Sequence, residues 1–160
     1  MNKLEKYRYW LMLSDYDLET VEVLARGGRW VYVAYLCQQA VERQLKGMYV
    51  FYCNSEAPKT HNINFLFTKL MAMGDFPLLG SREAFEARRA ECEDFLIDAM
   101  FYYMSDYPFS YKNIMNRFVG EDTAMELYRR TKGMIAWLRA FQPDPTAQDV
   151  PEAAPAAARA

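Results

Sequence analysis

The sequence predicts an all-α protein, an up-and-down antiparallel bundle of four to five helices. Three observations predict it. Apolar residues recur at three- and four-residue steps through several long segments, the spacing of a helix that buries one face. Glycine, proline and short polar clusters separate those segments. No stretch alternates apolar and polar residues as a half-buried strand does. With 160 residues, 52% of them hydrophobic and 25% charged, the chain suits one domain with a sizeable core.

The first helix carries Leu4, Tyr7, Leu11, Ser14, Leu18, Val21 and Ala25 on one face, and Gly27 and Gly28 stop it. The second runs from about Trp30 to about Tyr52. Its apolar stripe is Trp30, Ala34, Cys37, Val41, Leu45, Met48 and Tyr52. Gln39, Glu42, Arg43 and Lys46 fall on the opposite side, flanked by Tyr32 and Tyr35. Residues 54–60 read as a loop broken by Pro58. The third helix starts near Thr60 or Asn62, either of which suits its N-cap. It carries Ile63, Leu66, Phe67 and Leu70 and ends at Gly74.

A second break spans residues 75–80, with Pro77 and Gly80. Ser81 then caps a fourth helix, and Glu83 sits near its positive end. That helix passes through Phe85, Cys92, Phe95, Leu96 and Ala99 to about Tyr103. Tyr107 and Pro108 interrupt it, and residues 111–118 suit a short helix. The last helix spans about residues 121–141, with Met125, Tyr128, Ile135, Leu138 and Phe141 as its apolar side. The bundle is thus expected over residues 1–141. Residues 142–160, rich in proline and alanine, read as a disordered tail.

The totals narrow the function. A net charge of −2 gives no whole-protein case for nucleic-acid binding. The charged N-terminus predicts no secretory leader, and no apolar run nears the roughly 20 residues of a membrane span. Cys37, Cys53 and Cys92 form an odd set without paired spacing, which predicts a reduced, cytoplasmic setting. One histidine cannot supply the two Glu-x-x-His units of a di-iron bundle. The acidic set Glu91, Glu93, Asp94 and Asp98 reads instead as charge pairing with Arg88 and Arg89. No metal or cofactor is expected.

Two segments carry a resemblance. Gln39, Ala40, Glu42, Arg43 and Lys46 match a Gln-Ala-x-Glu-(Lys/Arg)-x-x-Lys helix. Lys59, Thr60, His61 and Asn62 match the Lys-Thr-His-(Asp/Asn) start of the following helix. In that order, they resemble the HEPN family (higher eukaryotes and prokaryotes nucleotide-binding domain). Trp10, Asp17 and Leu18 fit the family's first helix, and Tyr107 with Pro108 its later part. The resemblance extends over about residues 5–141. One departure stands out: HEPN ribonucleases carry an Arg four to six residues before a His. The nearest Arg upstream of His61 is Arg43, and Asp106 stands where related domains often place an Arg.

The resemblance implies a non-catalytic module that binds a nucleotide or RNA, or holds a partner protein. The implied partner is a minimal nucleotidyltransferase, often in a toxin–antitoxin pair, and two copies are expected to dimerise. The expected ligand-binding residues are Gln39, Glu42, Arg43, Lys46, Lys59 and His61. Lys46 and Arg43 would meet phosphate, with Tyr35 offering a stacking face. The same residues also read as a solvated face with an ordinary Glu42–Lys46 pair. His61 reads as a ligand contact or proton carrier, or simply as a helix-start residue bonded to the bundle. Arg129, Arg130, Lys132 and Arg139 make the C-terminal part locally basic against an acidic segment at residues 81–106. That asymmetry suits RNA or, more simply, helix-to-helix pairing. Two rivals remain: a ribonuclease toxin with a displaced active site built on His61 with Arg43 or Arg117, and a ligand-free dimeric helical adaptor.

Overall fold

The computed structural model describes residues 1–74, 79–104 and 119–141, with side chains given up to residue 100 in the middle segment. Five helices make up the described chain: α1 (Lys3–Arg26), α2 (Trp30–Tyr52), α3 (Ile63–Met73), α4 (Arg82–Met104) and α5 (Glu121–Arg139). No strand occurs among the described residues. Several expectations fall outside them: Pro77 in the second break, the interruption at Tyr107 and Pro108, the position of Asp106, the short helix at 111–118 and the tail at 142–160.

Local chemistry sets the helix ends. Asn2 caps α1: its side chain accepts from the Glu5 N–H while the Glu5 carboxylate accepts from the Asn2 N–H. At the other end, Arg29 N–H bonds to Leu24 O and Gly28 N–H to Ala25 O. Gly28 has φ +65°, the left-handed conformation this Schellman ending requires. Of the two candidate caps for α3, Asn62 takes the role, accepting from Phe65 N–H at 2.9 Å. Thr60 instead accepts from the Asn62 N–H. Ser81 caps α4 through the Ala84 N–H, and α5 opens with Glu121 and Asp122 and closes with Arg139, each sign placed where the helix dipole favours it.

α2 is the axis of the fold. It contacts α1, α3, α4 and α5. α1 runs antiparallel to it, so Trp10 meets Lys46 while Ser14 donates to Ala40 O. The expected α2 stripe lies in the core, with Ala34, Cys37, Val41, Leu45, Met48 and Tyr52 buried. Ile63, Leu66, Phe67 and Leu70 of α3 are fully buried beside it. At the far end Phe67, Phe85, Trp137 and Phe141 form an aromatic cluster. There the Tyr52 hydroxyl donates to the Phe141 carbonyl and fixes the end of the described chain to α2.

One expectation about α5 needs correction. Met125 is exposed, whereas Ala124, Leu127, Thr131 and Met134 are buried beside Tyr128, Ile135 and Leu138. α5 packs mainly against α2, and Met125 lies outside the arc that this packing covers. Both Cys37 and Cys92 are buried, and all three cysteines are free thiols. No described helix is long and apolar enough to cross a membrane.

Candidate functional site

The polar side of α2 does not face solvent. It is roofed by α1 and by the connector leading to α3: Gln38, Glu42 and Lys46 are buried, and Gln39 and Arg43 are partly covered. A carboxylate in such a place needs several donors, since its desolvation penalty is large. Glu42 has them. Lys46 Nζ donates to Oε1 at 2.6 Å, and Gln38 Nε2 to Oε2 at 3.3 Å. His61 Nδ1 stands 3.2 Å from Oε1 and 3.1 Å from Oε2. The tautomer with the proton on Nδ1 lets His61 donate to this carboxylate.

The connector is pinned at a second point. Gln38 Nε2 also donates to the His61 backbone carbonyl at 3.0 Å, while Gln39 Nε2 donates to Gln38 Oε1 at 2.8 Å. His61 is therefore tied by both ring and backbone to a buried carboxylate and a buried amide. Its side chain remains 63% exposed, against 10% for Lys46 and 4% for Glu42. Lys59 is exposed two residues earlier, and Tyr35 is half-buried. On its other side Lys46 Nζ lies 5.6 Å from the Trp10 ring centroid, a cation–π contact that lowers the cost of holding the ammonium away from water.

Arg43 points towards α1. Its Nη1 donates to Asp17 Oδ1 at 2.7 Å and to the Leu13 carbonyl at 3.3 Å. Asp17 is buried, and its Oδ2 meets no donor among the described residues. Burial pushes the Asp17 carboxyl up to about 6; Arg43 opposes the rise and Glu42 adds to it.

Of the expected site residues, the structure gathers Gln39, Glu42, Lys46 and His61 into one network through Gln38. Arg43 forms a neighbouring pair with Asp17, and Lys59 stands exposed on the connector. Sequence reading missed Gln38, Asp17 and the Trp10 contact. Gln38 was detectable: it lies four residues before Glu42 and eight before Lys46, one helical face.

Of the acidic α4 residues, Glu91 and Glu93 pair within the helix as expected, while Asp98 pairs with α5 instead. Arg88 pairs with Glu91, Arg89 with Glu93 at 3.0 Å, and Arg130 of α5 with Asp98 of α4 at 2.7 Å. Arg139 ties three helices, donating to Asp15 of α1 at 2.6 Å and to Gln44 of α2 at 2.9 Å. Among the described residues, no group of three or more His, Cys, Asp or Glu side chains is placed to hold a metal.

Comparison with known proteins gives one match. A family model described as HEPN domain covers residues 7–141. No curated protein and no solved structure matches the chain.

Proposed function

The chain belongs to the HEPN domain family, and from that premise we propose that it is a non-catalytic HEPN module binding a nucleotide or RNA at the connector between α2 and α3. Lys59 and His61 supply the exposed contacts, one cationic and one able to donate or accept. Gln39, Glu42 and Lys46 complete the site from beneath by fixing the connector and its charge, and Arg43 braces α2 against α1 beside it. The supporting observation is the double hold on His61: buried Glu42 orients its ring and Gln38 its backbone, with the ring itself exposed. A contact residue fixed in this way loses little entropy on binding. The missing Arg at the family's ribonuclease spacing supports binding over cleavage.

The reading extends to partners. The proposed partner is a minimal nucleotidyltransferase of a toxin–antitoxin pair, and the proposed assembly is a homodimer. The outer face of α1 supports association, since Tyr9, Met12, Tyr16 and Val23 share it and are all exposed.

A thermal-shift panel of nucleotides tests the proposal. A nucleotide present at 100 times its Kd raises stability by about 2.7 kcal/mol, a shift of several degrees. The Lys59→Ala, His61→Ala double variant should lose that shift while still melting cooperatively; an unchanged shift would refute the site. The ribonuclease alternative draws on the same Glu42–His61 pair, because a carboxylate on Nδ1 can hold an imidazole ready as a base. RNA cleavage by the purified protein, abolished by His61→Ala, would favour it.

A further inference from the structure

We propose that the cleft between α4 and α5 is a second binding site, for a small phosphomonoester with a flat or apolar body. The cleft measures about 400 Å³, within the range of small-molecule sites. The buried Phe95 and Met134 are its large apolar lining residues. Arg88 from α4 and Arg129 and Arg130 from α5 line its sides. Arg130 also lies over Phe95, its guanidinium carbon 5.1 Å from the ring centroid. Gly133 lies in the α5 wall, where a Cβ would come no closer than 3.4 Å, to Arg88 Nη2.

What distinguishes these cations is their availability. Arg43 and Lys46 are locked onto the buried carboxylates of Asp17 and Glu42. The cleft arginines are held by carboxylates that are more than half exposed: Glu91 at 64%, Glu126 at 54% and Asp98 at 56%. Exposed pairs of this kind are worth only about 0–1 kcal/mol. A phosphate can take a guanidinium through two parallel bonds and displace such a partner.

The lining also limits the ligand. Glu91 and Asp94 belong to the cleft, so the phosphate sits on the Arg129 and Arg130 side. Asp94 then faces hydroxyl or amino donors on the ligand body. A long polyanion would run against Glu91, Glu93, Asp94 and Asp98 along α4, which favours a single phosphate over a nucleic-acid strand. This proposal does not depend on the connector site.

Calorimetric titration of the full chain with adenosine 5′-monophosphate, adenosine and a short RNA tests it. Adenosine 5′-monophosphate should bind at least about tenfold more tightly than adenosine, as the loss of charged hydrogen bonds dictates. The Arg129→Gln, Arg130→Gln double variant should weaken binding by a similar factor. Glu126→Gln removes the carboxylate that holds Arg129 at 2.6 Å and should tighten binding, a gain that a damaged fold does not produce. Equal affinity for adenosine, no binding at millimolar nucleotide, unchanged affinity in the double arginine variant, or no gain with Glu126→Gln would each overturn the proposal. Tighter binding of RNA than of the mononucleotide would overturn it as well. If Lys59→Ala, His61→Ala abolishes binding and the arginine variant does not, the connector reading stands and the cleft proposal fails.

Discussion

Replacing Glu42 with Gln tests whether the polar side of α2 is an interior network or an ordinary helix surface. The substitution keeps the shape and removes the charge. Lys46, only 10% exposed at its side chain, then loses the carboxylate 2.6 Å away, and His61 faces a neutral amide in its place. Breaking a buried pair by removing one member costs about 3–5 kcal/mol, because the remaining charge is stranded. Lys46 has a flexible stem and retains the Trp10 ring, so the lower end, about 3 kcal/mol, applies. At about 2–4 °C per kcal/mol for a chain of this size, the melting temperature should fall by roughly 6–12 °C. Urea unfolding of Glu42→Gln, Lys46→Met and the double variant closes the cycle. The double variant should lose less than the sum of the two, since no unpaired charge is left buried. A loss below about 1 kcal/mol with additive effects is what a solvated i,i+4 pair gives; that outcome would refute the argument.

Gly47→Ala should destabilise, because the new Cβ would lie 3.0 Å from Leu11 Cδ1 and Trp10 Cβ and 3.3 Å from the Tyr7 carbonyl; the overpacking cost of about 1–3 kcal/mol outweighs the gain in helix propensity. Gly133→Ala meets only the flexible end of Arg88, so thermal melting should show a gain approaching about 1 kcal/mol. Asp17 is pushed up to about 6 from 3.8 by burial, so between those values the folded chain binds more protons than the unfolded chain and its stability falls as pH rises. Asp17→Asn should flatten that slope: the stability difference between wild type and variant should shift by about 2 kcal/mol from pH 4 to pH 7 in denaturant titrations, and parallel pH profiles would refute the assignment. Asn62→Ala removes the α3 cap and should cost about 1 kcal/mol by urea unfolding, with Asn62→Ser recovering most of it.

The helices were legible because their signals are local. Trp30 to Tyr52 stands as read, since the apolar stripe extends between two glycines and a proline-containing loop. Thr60 and Asn62 could not be separated in sequence because both side chains suit a cap; backbone geometry decided for Asn62. Met125 was misplaced because periodicity gives a face but not the edge of the arc that packing covers. Within the candidate site, Glu42, Lys46 and His61 were identifiable by type and order. Asp17 was not recognised as buried, because nothing in α1 alone distinguishes a carboxylate that will meet Arg43 from one that will meet water.

The sequence by itself determined an all-α chain, the order of its helices and the family, since apolar periodicity, turn chemistry and the Gln39–Lys46 and Lys59–Asn62 motifs are all read along the chain. Only the tertiary structure decided which way α2's polar side faces. A helical arc of Gln, Glu, Arg and Lys looks the same whether solvent or another helix covers it. Here α1 and the α3 connector cover it, and burial turns an unremarkable ion pair into the support that holds His61 at the surface. The same placement locks Arg43 and Lys46 onto buried carboxylates and leaves the arginines of the α4–α5 cleft with exposed partners, a difference in availability that depends on where each carboxylate sits after folding.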